Sequence, residues 1–176
     1  MLMITRVEEI LEIARGTTPS PRIVLAGAEN ASALETTVRA HLEGFAEAVL
    51  VGDPDKTRAL ADEQSLDISD IELIERYAPA ECVATALERI HAGQADILVK
   101  GYISTQMMLK GVLDRKYGFR TDRALSHISV FNVPEEQRVL IITDAGVNVQ
   151  PDLSRKRDIL LNAVDMAHAL GLERPK

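Results

Sequence analysis

The sequence predicts an α/β protein with a mostly parallel sheet and helices on both faces, that is, a doubly wound three-layer fold. Short apolar runs rich in branched aliphatic residues alternate with longer segments of helical periodicity, as in successive strand–helix units. Hydrophobic residues make up 46% of the 176 positions and charged residues 27%, a balance typical of globular domains rather than disordered chains.

The first two thirds of the chain carry a regular alternation. The predicted strands cover residues 23–27, 48–52, 71–74 and 96–101. The predicted helices cover residues 4–15, 30–42, a segment opening at 53–54, 79–91 and 104–113. Asn30 is a predicted N-cap, and Pro54 suits the first position of a helix. Ser104 or Thr105 is expected to cap the helix that follows the fourth strand.

The regular alternation of predicted strands and helices changes near residue 115. Two further strands are predicted at 128–131 and 138–143, and the short connection between them favours an antiparallel hairpin. A last helix runs from Asp152 to Leu170 and ends at Gly171. We therefore predict a first α/β domain at 1–115 and the start of a second, incomplete one at 116–176. Since a further strand would follow such a helix, the fold is expected to be truncated at its C-terminus.

Composition excludes several classes of function. The net charge is −7, aromatic residues make up 3%, and no long basic run is present, so a nucleic-acid partner is not expected. No apolar stretch approaches the ~20 residues of a membrane helix, so no membrane partner is expected. Cys82 is the single cysteine, which indicates a reducing compartment and a cytoplasmic location. We interpret Cys82 as a core residue rather than a nucleophile.

Ligands of open α/β sheets bind outside the carboxyl ends of the strands. After the fourth predicted strand, Lys100 supplies a positive charge, and Gly101 allows close approach of the backbone. Ser104 and Thr105 lie where amides at a helix N-terminus are unpaired, so the segment suits a phosphate or diphosphate. The alternative is a glycine turn with an ordinary cap and a solvated lysine, and these residues alone do not decide between the two.

A second polar cluster follows the sixth predicted strand. Asp144 and Asn148 lie four residues apart in a glycine-containing loop, which suits a ligand site, although Asp and Asn also organise turns. The densest basic stretch, residues 115–123, could hold an anionic ligand or could be a mixed-charge surface loop. The adjacent Ser126 and His127 would point to opposite faces of a strand, so they are not expected to form a catalytic pair. No metal-binding spacing, Walker loop or dinucleotide fingerprint is present in the sequence.

Four segments in this order carry a family resemblance: VKGYIST at 99–105, GFRTDRALSH at 118–127, TDAGVNVQPD at 143–152 and AVDMAHALG at 163–171. Together they resemble the phosphate acetyl/butyryl transferases, and more closely the butyryltransferase branch. The resemblance is strongest over residues 96–176. It implies the reaction of an acyl-CoA with inorganic phosphate to give an acyl phosphate and CoA.

The resemblance also implies roles for individual residues. Asp144 and Asn148 would form the catalytic floor of the cleft. The residues implied to bind substrate are Lys100, Gly101, Ser104, Thr105, Arg120, Ser126 and Thr143. It implies no metal and no tightly bound cofactor, with coenzyme A as substrate or product. Because the protein would position phosphate against a thioester carbonyl, its contribution would be orientation and oxyanion stabilisation.

Members of this family are longer, and their C-terminal half contributes polar catalytic groups that nothing here matches. The isolated chain is therefore expected to lack part of the site. Two other interpretations remain. The chain could be a non-catalytic CoA- or phosphate-binding regulatory module. It could also be an unrelated doubly wound enzyme such as a dehydrogenase, which the missing dinucleotide fingerprint disfavours. Because an incomplete fold exposes apolar edges, we predict self-association as a homo-oligomer.

Overall fold

The protein is described from a computed structural model that covers residue 4, residues 6–133 and residues 138–175. The helices are α1 (Val7–Arg15), α2 (Ala31–Leu42), α3 (Pro54–Glu63), α4 (Pro79–His91), α5 (Thr105–Val112) and α6 (Leu153–Ala169), with a 3-10 turn at Arg115–Tyr117. The strands are β1 (Arg22–Ala26), β2 (Glu47–Gly52), β3 (Glu72–Glu75), β4 (Ile97–Lys100), β5 (Ser129–Val133) and β6 (Arg138–Ile142).

The chain divides into two compact units, which we call the sheet unit, Arg15–Arg120, and the hairpin unit, Met1–Ala14 with Thr121–Lys176. The sequence places a boundary at 115–116 and groups the first helix with the sheet. In the structure α1, apart from Arg15, groups with the hairpin unit. The backbone N–H of Ile4, just before α1, donates to the carbonyl of Leu170 just after α6, at 3.1 Å.

The sheet unit holds four parallel strands in the order β3-β2-β1-β4. Successive side chains of a strand point to opposite faces, and the burial pattern follows this rule. Val24 and Ala26 of β1 pack with α4 and α5, whereas Leu25 packs with Leu34 and Val38 of α2 and with α3. Helices therefore cover both faces of a mostly parallel sheet, which confirms the predicted fold class.

Capping residues fix the ends of the helices at the functional edge of the sheet. The Asn30 side chain accepts from the Ala33 N–H at 3.0 Å, which confirms its predicted role. Asp53 caps α3, whose first residue is Pro54. Ser104, not Thr105, caps α5 by accepting from the Met107 N–H. Such caps satisfy N–H groups that the helix itself leaves unpaired.

The hairpin unit contains α1, α6 and the β5–β6 pair. The two strands are antiparallel, with Ser129 opposite Ile142 and Val133 opposite Arg138, as the short connection predicts. Residues 134–137 of that connection lie outside the described residues. Across the part of the chain that the structure covers, no helix is both long and apolar enough to cross a membrane.

Candidate functional site

The strand order of the sheet unit places two predicted loops side by side. β1 pairs with both β2 and β4, so the chain leaves β1 in one direction first and later returns on its other side. Such a switch in strand order opens a crevice at the carboxyl edge of the sheet, where ligands bind in doubly wound proteins. Gly27 after β1 and Gly101 after β4 meet at this point.

Gly101 is required for the packing of these two loops. A Cβ atom added at Gly101 would lie 1.9 Å from the carbonyl oxygen of Gly27. The Gly101 N–H donates to Ala26 O at 2.9 Å, and the Tyr102 N–H donates to Gly27 O at 2.7 Å. The space that the glycine leaves is therefore filled by neighbouring backbone, which gives Gly101 a structural explanation that the sequence does not reveal.

The polar side chains of the 100–105 segment have local partners. The Lys100 ammonium donates to Ile103 O at 3.1 Å and to Gly101 O at 3.5 Å. The Ser104 hydroxyl oxygen accepts the capping hydrogen bond from α5. Lys100, Ser104 and Thr105 are all exposed residues at the carboxyl edge. The segment has the features of an ordinary cap and also offers groups for an anion.

Next to this segment, residues of the loops and first helical turns that follow all four strands of the sheet surround a cavity of about 400 Å³. Glu29 comes after β1, Lys56 after β2, Tyr77 after β3 and Tyr102 after β4. Glu29 accepts from the backbone N–H of Asp53 at 2.8 Å, which ties the first two loops together. The sequence marks these strand ends, but no local pattern signals that their side chains converge.

An ion pair sets the charge at the edge of this cavity. The Lys56 ammonium lies 3.0 Å from the Asp53 carboxylate, which also accepts from the N–H groups of Asp55 and Lys56. The hydrogen bond from Lys56 lowers the pKa of Asp53, and the same bond raises the pKa of Lys56. Both groups are therefore charged at neutral pH.

Cys82 lines the inner wall of the cavity and is buried. Burial raises the pKa of its thiol, and the nearby Glu29 carboxylate adds to the effect. The thiol lies 3.7 Å from the carbonyl oxygen of Arg76. A protonated, buried thiol is a poor nucleophile, so Cys82 is the core residue that the sequence predicts.

In the hairpin unit, Asp144 joins the two loops at the open end of the hairpin. Its Oδ1 accepts from the N–H groups of His127, Gly146 and Val147 at 3.3, 3.3 and 3.1 Å. Its Oδ2 accepts from the amide of Asn148, which also donates to Leu125 O at 2.9 Å. These bonds fix the loop after β6 against the segment before β5.

The hydrogen bonds also determine the charge of Asp144. Burial by itself raises the pKa of this carboxyl, but the bonds from Asn148, Val147, Gly146 and His127 outweigh it, and the pKa lies below its ordinary value. Asp144 is therefore ionised at neutral pH, with donors on both oxygens. Such a carboxylate suits positioning of a loop rather than transfer of protons.

The remaining predicted residues of this unit hold the same two loops. The Thr143 hydroxyl donates to His127 O at 2.6 Å, just beyond the last pair of the hairpin. The Ser126 hydroxyl oxygen accepts from Asn162 of α6 at 2.9 Å, and Asn162 also donates to Ala124 O at 3.0 Å. Asn162 lies within a helical pattern, so its contact with the loop gives no signal in the sequence.

The nine candidate site residues thus fall into two groups. Lys100, Gly101, Ser104, Thr105 and Arg120 belong to the sheet unit. Ser126, Thr143, Asp144 and Asn148 belong to the hairpin unit, where Thr143 and Asp144 both bond to the backbone of His127 and Asn148 bonds to Asp144. Within the described residues, no cluster of three or more His, Cys, Asp or Glu side chains could hold a metal ion.

Fold and strand-end loops together define a doubly wound α/β protein with polar groups at the carboxyl edge of its parallel sheet. Comparison with known proteins shows which family of doubly wound proteins the chain belongs to. Residues 79–176, more than half of the chain, match the family described as phosphate acetyl/butaryl transferase, and the chain belongs to that family. The match includes both the 100–105 and the 143–148 segments.

Curated proteins that are similar to this chain in sequence are named phosphate butyryltransferase or phosphate acetyltransferase. Phosphate butyryltransferase from Clostridium acetobutylicum is 35% identical over 155 residues, which cover 88% of this chain and 52% of the relative. Phosphate acetyltransferase from Thermotoga maritima is 32% identical over 96% of this chain and 56% of its own length. The chain therefore spans about half the length of the curated relatives it matches.

A solved structure supports the fold. The branched-chain phosphotransacylase from Enterococcus faecalis V583 superposes with a TM-score of 0.72, over 88% of this chain and 54% of that one. Sequence identity in this comparison is 22%, so the likeness bears on the fold.

Proposed function

We propose that the protein is a phosphate acyltransferase, which transfers a butyryl- or acetyl-like group from an acyl-CoA to inorganic phosphate. The observation that carries this proposal is the family match over residues 79–176, which includes both polar strand-end segments. The names of the relatives support both acyl groups. The closer sequence resemblance to the butyryltransferase branch favours the butyryl group as the substrate's acyl group.

The proposed reaction needs little covalent chemistry from the protein. A phosphate oxygen adds to the thioester carbonyl, forming the C–O bond and placing negative charge on the carbonyl oxygen. The C–S bond then breaks, and the CoA thiolate that leaves takes up, by way of solvent, the proton that the hydrogen phosphate gives up. Binding groups that hold the phosphate against the carbonyl would supply most of the acceleration. Arg120, Ser104 and Thr105 are exposed, and no ion pair to Arg120 occurs among the residues described. They are our candidates for phosphate or CoA contacts.

The groups of the hairpin unit serve a different purpose in this proposal. Asp144 is ionised and engaged by four donors, and Asn148 spans from it to Leu125 O. We assign both as positioning residues that hold the loop after β6 in one conformation. Thr143 and Ser126 hold the same loops, and the Ser126 hydroxyl keeps its own proton available for a ligand. Lys100 would contribute a fixed positive charge, with Gly101 maintaining the loop.

A chimera tests this proposal. Residues 1–176 are continued by the C-terminal half of the Clostridium acetobutylicum relative, and CoA release from butyryl-CoA is followed with a thiol reagent. We expect release that depends on phosphate. In the chimera, Arg120→Ala should lower kcat/KM by about 100-fold, as loss of one charge-stabilising donor does. Arg58→Ala, an exposed arginine of α3, is the matched control. A folded chimera that releases no CoA would contradict the assignment.

A second candidate function is binding of CoA without turnover. The exposed residues Ser104 and Thr105 at the start of α5 support it, because they suit binding of an anion and need no part in chemistry. Saturable CoA binding by residues 1–176 without release of CoA from butyryl-CoA would support it. CoA that neither releases heat nor raises the melting temperature would count against it.

We further infer that the protein acts in the cytoplasm as a homo-oligomer. The single cysteine, buried and free, fits a reducing compartment. Apolar side chains exposed on the β5–β6 hairpin, among them Phe131 and Leu140, support association between copies.

A further inference from the structure

Side chains, rather than a helix or strand, hold the backbone of residues 124–127 just before β5. The Ala124 N–H donates to the Asp158 carboxylate at 3.0 Å, and the Ala124 carbonyl accepts from Asn162 at 3.0 Å. Asp158 and Asn162 lie one helical turn apart and share one face of α6. The loop after β6 holds the rest of the segment through its own hydrogen bonds. The Ser126 side chain therefore extends from a backbone that is fixed on both sides.

The hydrogen bond between Asn162 and Ser126 has a direction that the neighbouring carbonyl determines. A carbonyl oxygen can only accept, so the group facing Ala124 O is the NH2 of the Asn162 amide. The same nitrogen lies 2.9 Å from Ser126 Oγ, which receives its second proton. Ser126 Oγ is therefore the acceptor of this bond, and its own proton must point away from Asn162. Within the part of the chain that the structure describes, that proton has no acceptor.

The Asn162 amide restricts the directions in which the Ser126 hydroxyl can donate. An unconstrained serine hydroxyl rotates and offers its proton in several directions. The bond from Asn162 removes this freedom, because a lone pair of Ser126 Oγ faces the amide. A donor that is oriented before the ligand binds stabilises charge on a ligand oxygen with little reorganisation. The hydroxyl of the half-buried Ser126 is such a donor.

We propose that Asn162 is a positioning residue, which directs the Ser126 hydroxyl to donate to an oxygen atom of the substrate. The inference rests on the proposed function, because both phosphate and the thioester carbonyl supply such an oxygen. Ser126 touches the substrate in this proposal, whereas Asn162 acts only through Ser126. The bond from Asn162 to Ala124 O serves the same end, since it fixes which way the amide faces.

Nuclear magnetic resonance of the isotope-labelled 176-residue chain tests this inference with two probes, inorganic phosphate and butyryl-CoA. We expect one of them to shift the backbone amide signals of residues 124–127, with sodium chloride at equal ionic strength as the reference. Ser126→Ala removes the donor and should weaken binding of that probe by about tenfold, as loss of one hydrogen bond to a charged oxygen does. Asn162→Leu keeps the shape of the side chain without its donors and should weaken binding by a similar factor.

The double variant distinguishes positioning of the hydroxyl from simple anchoring of the backbone. If Asn162 acts only through Ser126, the combined Ser126→Ala and Asn162→Leu variant should bind the probe no more weakly than Ser126→Ala alone. Asn132→Leu is the matched control, because it is the same substitution in β5 of the same unit. The Asn132 Oδ1 is buried and has no partner among the described residues, so this variant should leave the affinity unchanged. Thermal melting shows that each variant is folded.

Two results would overturn the positioning role: no shift of these signals with either probe, or a further loss of affinity when Asn162→Leu is added to Ser126→Ala. Kinetics of the chimera test the acyltransferase separately. In an active chimera, Asn162→Leu should raise KM for phosphate if the acceptor is phosphate, and should lower kcat alone if it is the thioester carbonyl. Unchanged kcat and KM would reject the positioning role and still support the acyltransferase. Binding that is coupled between Ser126 and Asn162, together with an inactive, folded chimera, would support the positioning role and reject the acyltransferase.

Discussion

Gly101 lies where the ends of β1 and β4 approach most closely. Because an added Cβ would meet the Gly27 carbonyl at 1.9 Å, Gly101→Ala must push two backbone segments apart. We expect a loss of about 3 kcal/mol in the free energy of unfolding, the upper end of the usual range for overpacked sites. Urea denaturation measures it.

A matched glycine provides the control for this substitution. Gly44 has a φ of +76° and no atom within 4 Å of an added Cβ. Gly44→Ala should therefore cost only the strain of a left-handed residue, about 1 kcal/mol. Equal losses in the two variants would show that the close approach at Gly101 does not exist in solution.

Asp144 makes stability depend on pH in a direction that its hydrogen bonds determine. Its pKa is lower in the folded protein than in the unfolded chain, so the carboxylate stabilises the fold above the unfolded pKa of about 4. That contribution is lost as the pH falls through the folded pKa. Asp144→Asn places an amide opposite the Asn148 amide and should cost about 1–3 kcal/mol at pH 7.

Urea denaturation of both proteins from pH 7 to pH 3 measures this effect. The difference between wild type and Asp144→Asn should be constant near neutral pH and should shrink below about pH 4. Asp122→Asn, at an exposed aspartate with no hydrogen bond among the described residues, should leave the stability at pH 7 unchanged. A difference that grows on acidification would contradict the assignment of an ionised Asp144.

Helix α4 begins without a side-chain cap, so a capping residue introduced there should stabilise the protein. Its N-cap residue, Ala78, makes no side-chain hydrogen bond, whereas Asn30 at the start of α2 does. Ala78→Ser supplies an acceptor to the first turn and should raise the free energy of unfolding by about 0.5–1 kcal/mol. Asn30→Ala should lower it by about 1 kcal/mol. A destabilised Ala78→Ser variant would show that α4 begins at a different residue.

The helix ends also show what the sequence predicts well. The predicted helix at 79–91 has the observed bounds of α4, because Pro79 favours the first turn and Gly93 follows the last. The antiparallel β5–β6 pair follows from its short connection. The 3-10 turn at Arg115–Tyr117 is absent from the prediction, since three residues are too few to produce a periodic signal.

Across the whole molecule, the sequence predicts which loops follow strands but not which loops meet. The order β3-β2-β1-β4 places Gly101 against Gly27. This contact depends on the tertiary packing of the strands and not on the local sequence pattern. The same limit applies to Glu29 and Lys56, which come from the ends of different strands, and to Asn162, whose partners precede it by 36 or more residues.

The β5–β6 hairpin leads to a prediction about the assembly of the protein. Phe131 and Leu140 are opposite each other in the register and are 49% and 40% exposed, so one face of the pair presents apolar surface to solvent. Exposed apolar faces and unpaired strand edges promote association. We expect concentration-dependent self-association in sedimentation velocity, which Phe131→Lys weakens while the circular dichroism spectrum is unchanged.

Leu42 provides the control for that experiment, because it is similarly exposed but lies on α2 in the sheet unit. Leu42→Lys introduces the same charge at a site distant in sequence from the hairpin and should leave the sedimentation profile unchanged. A wild-type chain that remains monomeric at every concentration would contradict the prediction. Equal effects of the two lysine variants would show that net charge, rather than the apolar face of the hairpin, controls association.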